Sequence, residues 1–143
     1  MNPNITYNTS ELIVQASQKK TKKEKAEYLR VNKTDAMLDI LRGTFDDRIR
    51  FLVPTGWDVP FTASEGHNHP TTLSKMHRQF MYLCNTPAGN KLPQVQRERK
   101  YIEILEGIHP NDATLVIDMV NKKAPKGITK AVVKEAFPGL LPE

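Results

Sequence analysis

Arg97-Glu98-Arg99-Lys100-Tyr101-Ile102-Glu103-Ile104-Leu105-Glu106-Gly107 is followed by a turn, His109-Pro110-Asn111-Asp112-Ala113, and then by Leu115, Val116, Met119 and Val120. Tyr101, Ile102, Ile104, Leu105 and Ile108 recur at helical spacing behind a charged turn. Pro93 is placed to open this helix and Gly107 to close it. A second helix carries the apolar set from Leu115 to Val120. The loop Asn121-Lys122-Lys123-Ala124-Pro125-Lys126-Gly127-Ile128-Thr129-Lys130 then leads to a last short helix over residues 129–137, stopped by Pro138-Gly139. Helix, turn, helix, basic loop and helix in succession predict an all-α chain.

The same logic extends toward the N-terminus. Thr9-Ser10-Glu11 ahead of Leu12, Ile13, Val14 and Ala16 reads as a capped helix ending near Gln18. Thr21 and Glu24 have capping-box spacing and predict a helix over residues 21–31 that buries Ala26 with Leu29 or Tyr28. Thr34 and Asp35 cap a third helix carrying Met37, Leu38, Leu41 and Phe45. Beyond Phe51-Leu52-Val53, the breakers Pro54, Gly56, Pro60, Gly66 and Pro70 leave a long irregular loop near residues 52–72, with Trp57 and Phe61 expected to pin it to the body. Helix resumes at Thr72 or Ser74, runs through Met76, Phe80, Met81 and Leu83, and ends at Thr86-Pro87-Ala88-Gly89-Asn90. No strand alternation or internal repeat occurs. The expectation is one domain over residues 1–143, a bundle of about six to seven short helices.

With 143 residues, a hydrophobic fraction of 38% and ten prolines, the chain can bury a modest core and should carry extensive loops. The net charge of +5 is unevenly spread: residues 1–33 hold seven Lys/Arg against three acids, residues 34–73 three against six, and residues 74–143 eleven against seven. Basic ends favour a polyanionic partner, although this net charge also suits plain solubility. Cys84 is the only cysteine, which excludes an internal disulfide and fits a reducing compartment. No apolar run is long enough for a membrane span, and the first residues lack the pattern of a signal peptide, so an intracellular, soluble protein without a membrane partner is expected.

Chemistry is concentrated in lysines. Lys122, Lys123, Lys126 and Lys130 surround Gly127 and Thr129, where a glycine lets a phosphate approach the backbone and a capped helix start offers N–H groups. The competing reading is a solvated loop. Lys19, Lys20, Lys22 and Lys23 form a second cluster; on a helix Lys22 and Lys25 share a face that could track phosphates, or simply stay wet. Arg97, Arg99 and Lys100 stand near a helix start, held by a ligand or, more simply, by a surface network with Glu98 and Glu103. His67-Asn68-His69 offers two imidazoles but no third ligand at a familiar spacing, so neither metal nor cofactor is expected. No P-loop, nucleophile elbow, dinucleotide fingerprint or Lys-x-Asp-Gly nucleotidyl-transfer motif occurs, which argues against an enzyme.

The segment from Tyr101-Ile102-Glu103-Ile104-Leu105-Glu106-Gly107 to Phe137-Pro138-Gly139-Leu140-Leu141-Pro142-Glu143 resembles the closing helices of the N-terminal DNA-binding domain of ATP-dependent DNA ligases, particularly the short ligase of T-even-like bacteriophages. Residues 11–53 resemble that domain's opening helices and Thr72-Leu73-Ser74-Lys75-Met76 the start of its central helix, while the loop at residues 54–71 is this chain's own. The chain also looks like an uncharacterised protein family of marine T-even-like phages, which implies the cytoplasm of an infected bacterium. In ligases the basic turn before the last helix contacts the DNA backbone, mostly from the minor-groove side, and helps encircle a nick. The positions that match it are Lys123, Lys126, Gly127, Ile128 and Thr129, with Lys122 and Lys130 adjacent. Ala124-Pro125-Lys126 departs from the tighter turn of ligases, and the sequence stops at Glu143, where a ligase continues into its catalytic domain.

The resemblance implies a non-catalytic phage accessory protein binding duplex or nicked DNA through backbone contacts, with Lys19, Lys20, Lys22 and Lys23 extending the track if both clusters fold to one side. The alternative is a protein-interaction module for a phage or host partner, served by exposed Trp57, Phe61 or Leu140-Leu141, or by an acidic patch of Asp39, Asp46, Asp47 and Asp58. A hydrolase using His67, His69 and an acid ranks last. The oligomeric state is not legible in the residues.

Overall fold

Side-chain caps set most of the helix boundaries. The computed structural model describes residues 7–54, 56, 58–65 and 68–142. Among these, α1 (Thr9–Ser17), α2 (Lys22–Val31) and α3 (Asp35–Phe45) follow N-caps Asn8, Thr21 and Thr34, whose side chains accept from backbone N–H groups three residues on. Thr21 and Thr34 are the caps the sequence suggested. For α1 the cap is Asn8, with Glu11 completing a capping box, and Thr9 and Ser10 are buried inside the helix. α4 (Leu73–Met76) passes directly into a 3₁₀ segment, His77–Tyr82, so the expected central helix is continuous but tightened.

α5 (Pro87–Lys91) falls where a helix was expected to end. Pro87 occupies the first helical position, where its missing N–H costs nothing, and Thr86 caps Gly89 N. α6 (Gln94–Gly107) and α7 (Pro110–Val120) form the hairpin around which the sequence was read, and α8 (Lys130–Ala136) starts behind its N-cap Thr129. α7 begins earlier than the apolar pattern suggested. Pro110 lies at its first turn, and the His109 ring accepts from Asn111 N, so the polar turn residues are the helix's own beginning.

The described residues contain eight α-helices and no strand; Phe51 and Cys84 form one isolated antiparallel bridge and Glu65 and Asn68 another. The fold is all-α, as the sequence predicts. No helix is long and apolar enough to cross a membrane among these residues. One apolar cluster runs through the bundle, with Leu29, Met37, Ile40, Leu41, Leu105, Val116 and Val133 at its centre.

α7 packs against α1, α3 and α6. α1 runs in the same sense as α7, because Ser10 N donates to Asp112 Oδ1 at 2.9 Å near their starts, while Ser17, at the end of α1, meets Gly127 just beyond α7. α2 likewise runs with α8: Lys25 reaches the carbonyl of Gly127 and Arg30 reaches those of Glu135 and Ala136. Gly43 in α3 lets Met119 of α7 approach so closely that a Cβ there would stand 2.7 Å from its sulfur.

The long loop is tied down by hydrogen bonds that its backbone N–H groups donate to α6 and to the residue after α7. Thr71 N donates to Gly107 O at 2.8 Å, Thr62 N to Glu106 Oε2 at 2.7 Å and Gly56 N to Asn121 Oδ1 at 2.7 Å. Phe61 packs partly buried against the core, as expected of a pin. Trp57 and His67 lie outside the described residues.

Candidate nucleic-acid interface

A tight turn joins α7 to α8. After α7, Lys123 N bonds to Asp118 O and Ile128 N to Pro125 O. Gly127 sits at φ +82°, a left-handed conformation that a side chain would strain, and a Cβ there would stand 3.0 Å from Ser17 Cβ. The glycine is therefore required twice, by its dihedral and by its contact with the end of α1. Thr129 accepts from Val132 N and starts α8, as the sequence predicts. Ile128 is buried and anchors the loop from below.

This contact brings the two lysine clusters together. Ser17 is one residue before the α1–α2 turn that holds Lys19 and Lys20. From α2, Lys25 donates its ammonium to Gly127 O at 2.8 Å. Lys22 lies one helical turn before Lys25 on the same face of α2. Lys20, Lys22, Lys123, Lys126 and Lys130 are all exposed on the segments that meet here, and none is held in an ion pair among the described residues. At the start of α8, whose first turn holds Lys130 and no acid, a cation opposes the helix dipole and an anion relieves that opposition, whereas α2 carries Glu24 in its first turn.

Three of the expected lysines do other things. Lys122 takes a left-handed backbone, φ +58°, and its ammonium donates to Gly43 O at 2.6 Å and Asp46 O at 3.0 Å. It thereby satisfies carbonyls at the end of α3 and lies over the Phe51 ring at 5.4 Å. Burial pulls its pKa down, against the upward pull of Asp47 and Asp46. Its structural bonds leave it little reach toward a phosphate. Lys19 lies 4.9 Å over the Tyr28 ring, and with Lys23 it lines a groove on the outer side of α1 and α2. The Lys19 to Lys23 run is therefore divided: Lys19 and Lys23 line the groove, while Lys22 on α2 shares the face of Lys25 and not that of its neighbour Lys23, because successive helical residues point about 100° apart.

Arg97 is neither a ligand-holding cation nor part of a surface network. It is buried, and Nη2 donates to Gly89 O at 2.7 Å and Leu92 O at 2.8 Å, closing the end of α5. Its Nε has no partner among the described residues. Of the acidic patch considered for a protein partner, Asp46 and Asp39 are taken up internally, while Asp47 and Asp58 are exposed. Asp46 is buried and paired with Arg48 at 2.9 Å, whose hydrogen bond holds its carboxyl below the ordinary value, and Asp39 bonds His77 and Arg42.

His69 meets His109 edge to face, with ring centroids 5.8 Å apart. His69 Nδ1 bonds Thr71 O and His109 Nδ1 accepts from Asn111 N, so each ring has one nitrogen committed to backbone. No group of three or more His, Cys, Asp or Glu among the described residues could hold a metal ion. Cys84 is a buried free thiol whose pKa burial pushes up, which suits a core residue more than a nucleophile.

Fold and site together define a small all-α protein with a lysine-rich corner built from the α1–α2 turn and the loop before α8. The chain belongs to a Family of unknown function (DUF6433), whose model matches residues 12–126. The match takes in Lys19 to Lys25 and the loop as far as Lys126, and leaves Gly127 and α8 outside it. No curated protein is significantly similar to the chain.

Proposed function

We propose that the protein is a non-catalytic phage accessory factor that binds duplex or nicked DNA through the phosphate backbone, with little base specificity, in the cytoplasm of an infected bacterium. The observation that supports this reading is the contact of Gly127 with Ser17, reinforced by the Lys25 bond to Gly127 O, because it joins two lysine clusters distant in sequence. Exposed ammonium groups release counterions when they neutralise phosphates, and such contacts position a duplex without reading its bases. Lys20, Lys22, Lys123, Lys126 and Lys130 are the contacting cations, with Gly127 and Thr129 shaping the loop and Lys19 and Lys23 at its margin.

The alternative, a protein-interaction module, loses two of its supports, since Leu141 is 4% exposed and Phe61 is packed partly buried on the core, and keeps the exposed Asp47 and Asp58. Fluorescence anisotropy of labelled nicked and intact duplexes at two salt concentrations, with a Lys123→Glu/Lys126→Glu variant alongside, separates the readings. Salt-sensitive binding lost in the variant is the expected result, and preference for the nick would tie the recognition to the ligase-like resemblance. Absence of binding at low salt would overturn the DNA reading in favour of a protein partner.

A further inference from the structure

Between α3 and the 3₁₀ segment lies a cavity of about 210 Å³ whose wall and floor differ in chemistry. Arg42, His77 and Arg78 line the wall together with Asp39, the one acid among the lining residues. Asp39 is already engaged, since Oδ2 accepts from His77 Nδ1 at 2.5 Å and Oδ1 from Arg42 Nη1 at 3.4 Å. A guanidinium and an imidazole are thereby held side by side on one carboxylate. The floor is apolar, formed by Phe51, Phe80, Met81 and Cys84, and Met81 is 46% exposed.

The wall keeps polar capacity that the protein does not use. Arg78 is exposed and makes no hydrogen bond or ion pair among the described residues, and Arg42 spends only Nη1 on Asp39. His77 is the more telling group. Its side chain is 8% exposed, its Nδ1 is spent on Asp39, and its Nε2 has no hydrogen-bond partner among the described residues. A polar atom so enclosed in a cavity wall calls for a partner from outside the chain.

Two guanidinium groups against one carboxylate favour an anion, and the N–H forks of arginine match the oxygens of a phosphate or a carboxylate. Nε2 selects between these two. The Asp39 carboxylate accepts from Nδ1, so that nitrogen carries the ring proton, and a bond between Nε2 and an oxyanion requires one proton more. A phosphate monoester, with a second pKa of about 6, still has such a proton to share near neutral pH, whereas a carboxylate has none. Volume and floor set the rest of the ligand: about 210 Å³ is the share of about seven liquid waters, room for one phosphate and one ring laid on aromatic and thioether side chains.

We propose that this cavity binds a phosphate monoester carried on a single planar apolar ring, with Arg42 and Arg78 on the phosphate oxygens, His77 Nε2 sharing a proton with one of them, and the ring on Phe51, Phe80 and Met81. The site uses none of the lysines of the last loop, so it stands whether or not they bind DNA.

Amide NMR titration of the full chain with phenyl phosphate tests this. Saturable shifts should centre on residues 39–43 and 77–84. Inorganic phosphate lacks the ring, phenol the oxyanion and benzoate the shared proton, and each should bind more weakly by about tenfold or more. Arg78→Gln, at an exposed position with no bond to lose, should weaken phenyl phosphate by about tenfold. Lys75→Gln, three residues earlier and outside the lining, should leave the affinity unchanged. Displacement of phenyl phosphate by an oligonucleotide bearing a 5′-phosphate, but not by its 5′-hydroxyl counterpart, would assign the natural ester to a nucleic-acid end; displacement by neither would assign it to a free small molecule. Absence of shifts around the cavity, shifts confined to residues 122–130, an Arg78→Gln affinity equal to that of Lys75→Gln, or any of the three comparison ligands binding as tightly as phenyl phosphate would each overturn the site.

Discussion

Asp112, 2% exposed, sits in the first turn of α7 and accepts from Ser10 N in the first turn of α1. Two helix starts favour its negative charge, but burial works against it and pushes its pKa above the ordinary carboxylate value, with the Ser10 hydrogen bonds pulling the other way. A folded-state pKa above the unfolded one means that the folded chain holds the proton more tightly. The resulting stability is complete below the ordinary carboxylate pKa and is lost as pH rises through the folded value. Asp112→Asn keeps an acceptor for Ser10 N and removes the ionisation. Urea unfolding should therefore show the variant gaining on wild type as pH rises above the ordinary carboxylate value, about 3.9, and parallel curves would refute the assignment. Nothing in the sequence marked this residue, since Asp112 reads as an ordinary turn aspartate until Ser10, distant in the chain, is brought against it. Lys122 teaches the converse: its sequence neighbours suggest a phosphate ligand, and only the approach of α3 reveals the carbonyls it serves.

At the scale of elements, the threonine caps were readable because a cap is local: Thr21, Thr34 and Thr129 each bond a backbone N–H three residues on. α5 was not, since Pro87-Ala88-Gly89-Asn90-Lys91 lacks a helical apolar pattern and owes its last turn to Arg97, whose guanidinium collects carbonyls at its end. The pairing of α2 with α8 likewise depends on side chains reaching across the bundle. Lys25→Met, which keeps the aliphatic stem but loses the bond to Gly127 O, should free the loop from α2. Hydrogen exchange at Ile128, whose N–H bonds Pro125 O, should accelerate by about tenfold, the loss of one charge-assisted hydrogen bond. Exchange unchanged from wild type would show that the Gly127 to Ser17 contact alone holds the loop.

For the whole molecule, the number of phosphates engaged is a property of the assembled corner. The logarithm of the DNA binding constant should fall with the logarithm of salt by about 0.9 per phosphate neutralised, and reversing Lys123 and Lys126 should reduce that slope by about two. A slope that the double reversal leaves unchanged would move the contacts elsewhere. Changing Lys122 to Met should alter the slope little, because its ammonium is held by carbonyls. The sequence by itself determined the all-α class, seven of the eight helices, the irregular loop near residues 52–72 and the basic character of both ends. These follow from apolar period, local caps, breakers and composition, which act over a few residues. Only the tertiary structure decided which lysines share a surface. Lys19 and Lys23 turn to the groove, Lys122 closes α3, and the segments that carry Lys20, Lys22, Lys123, Lys126 and Lys130 meet because a glycine small enough to touch Ser17 lets the last loop lie against the first hairpin. Side-chain direction and long-range packing fix that arrangement, and neither is encoded in spacing along the chain.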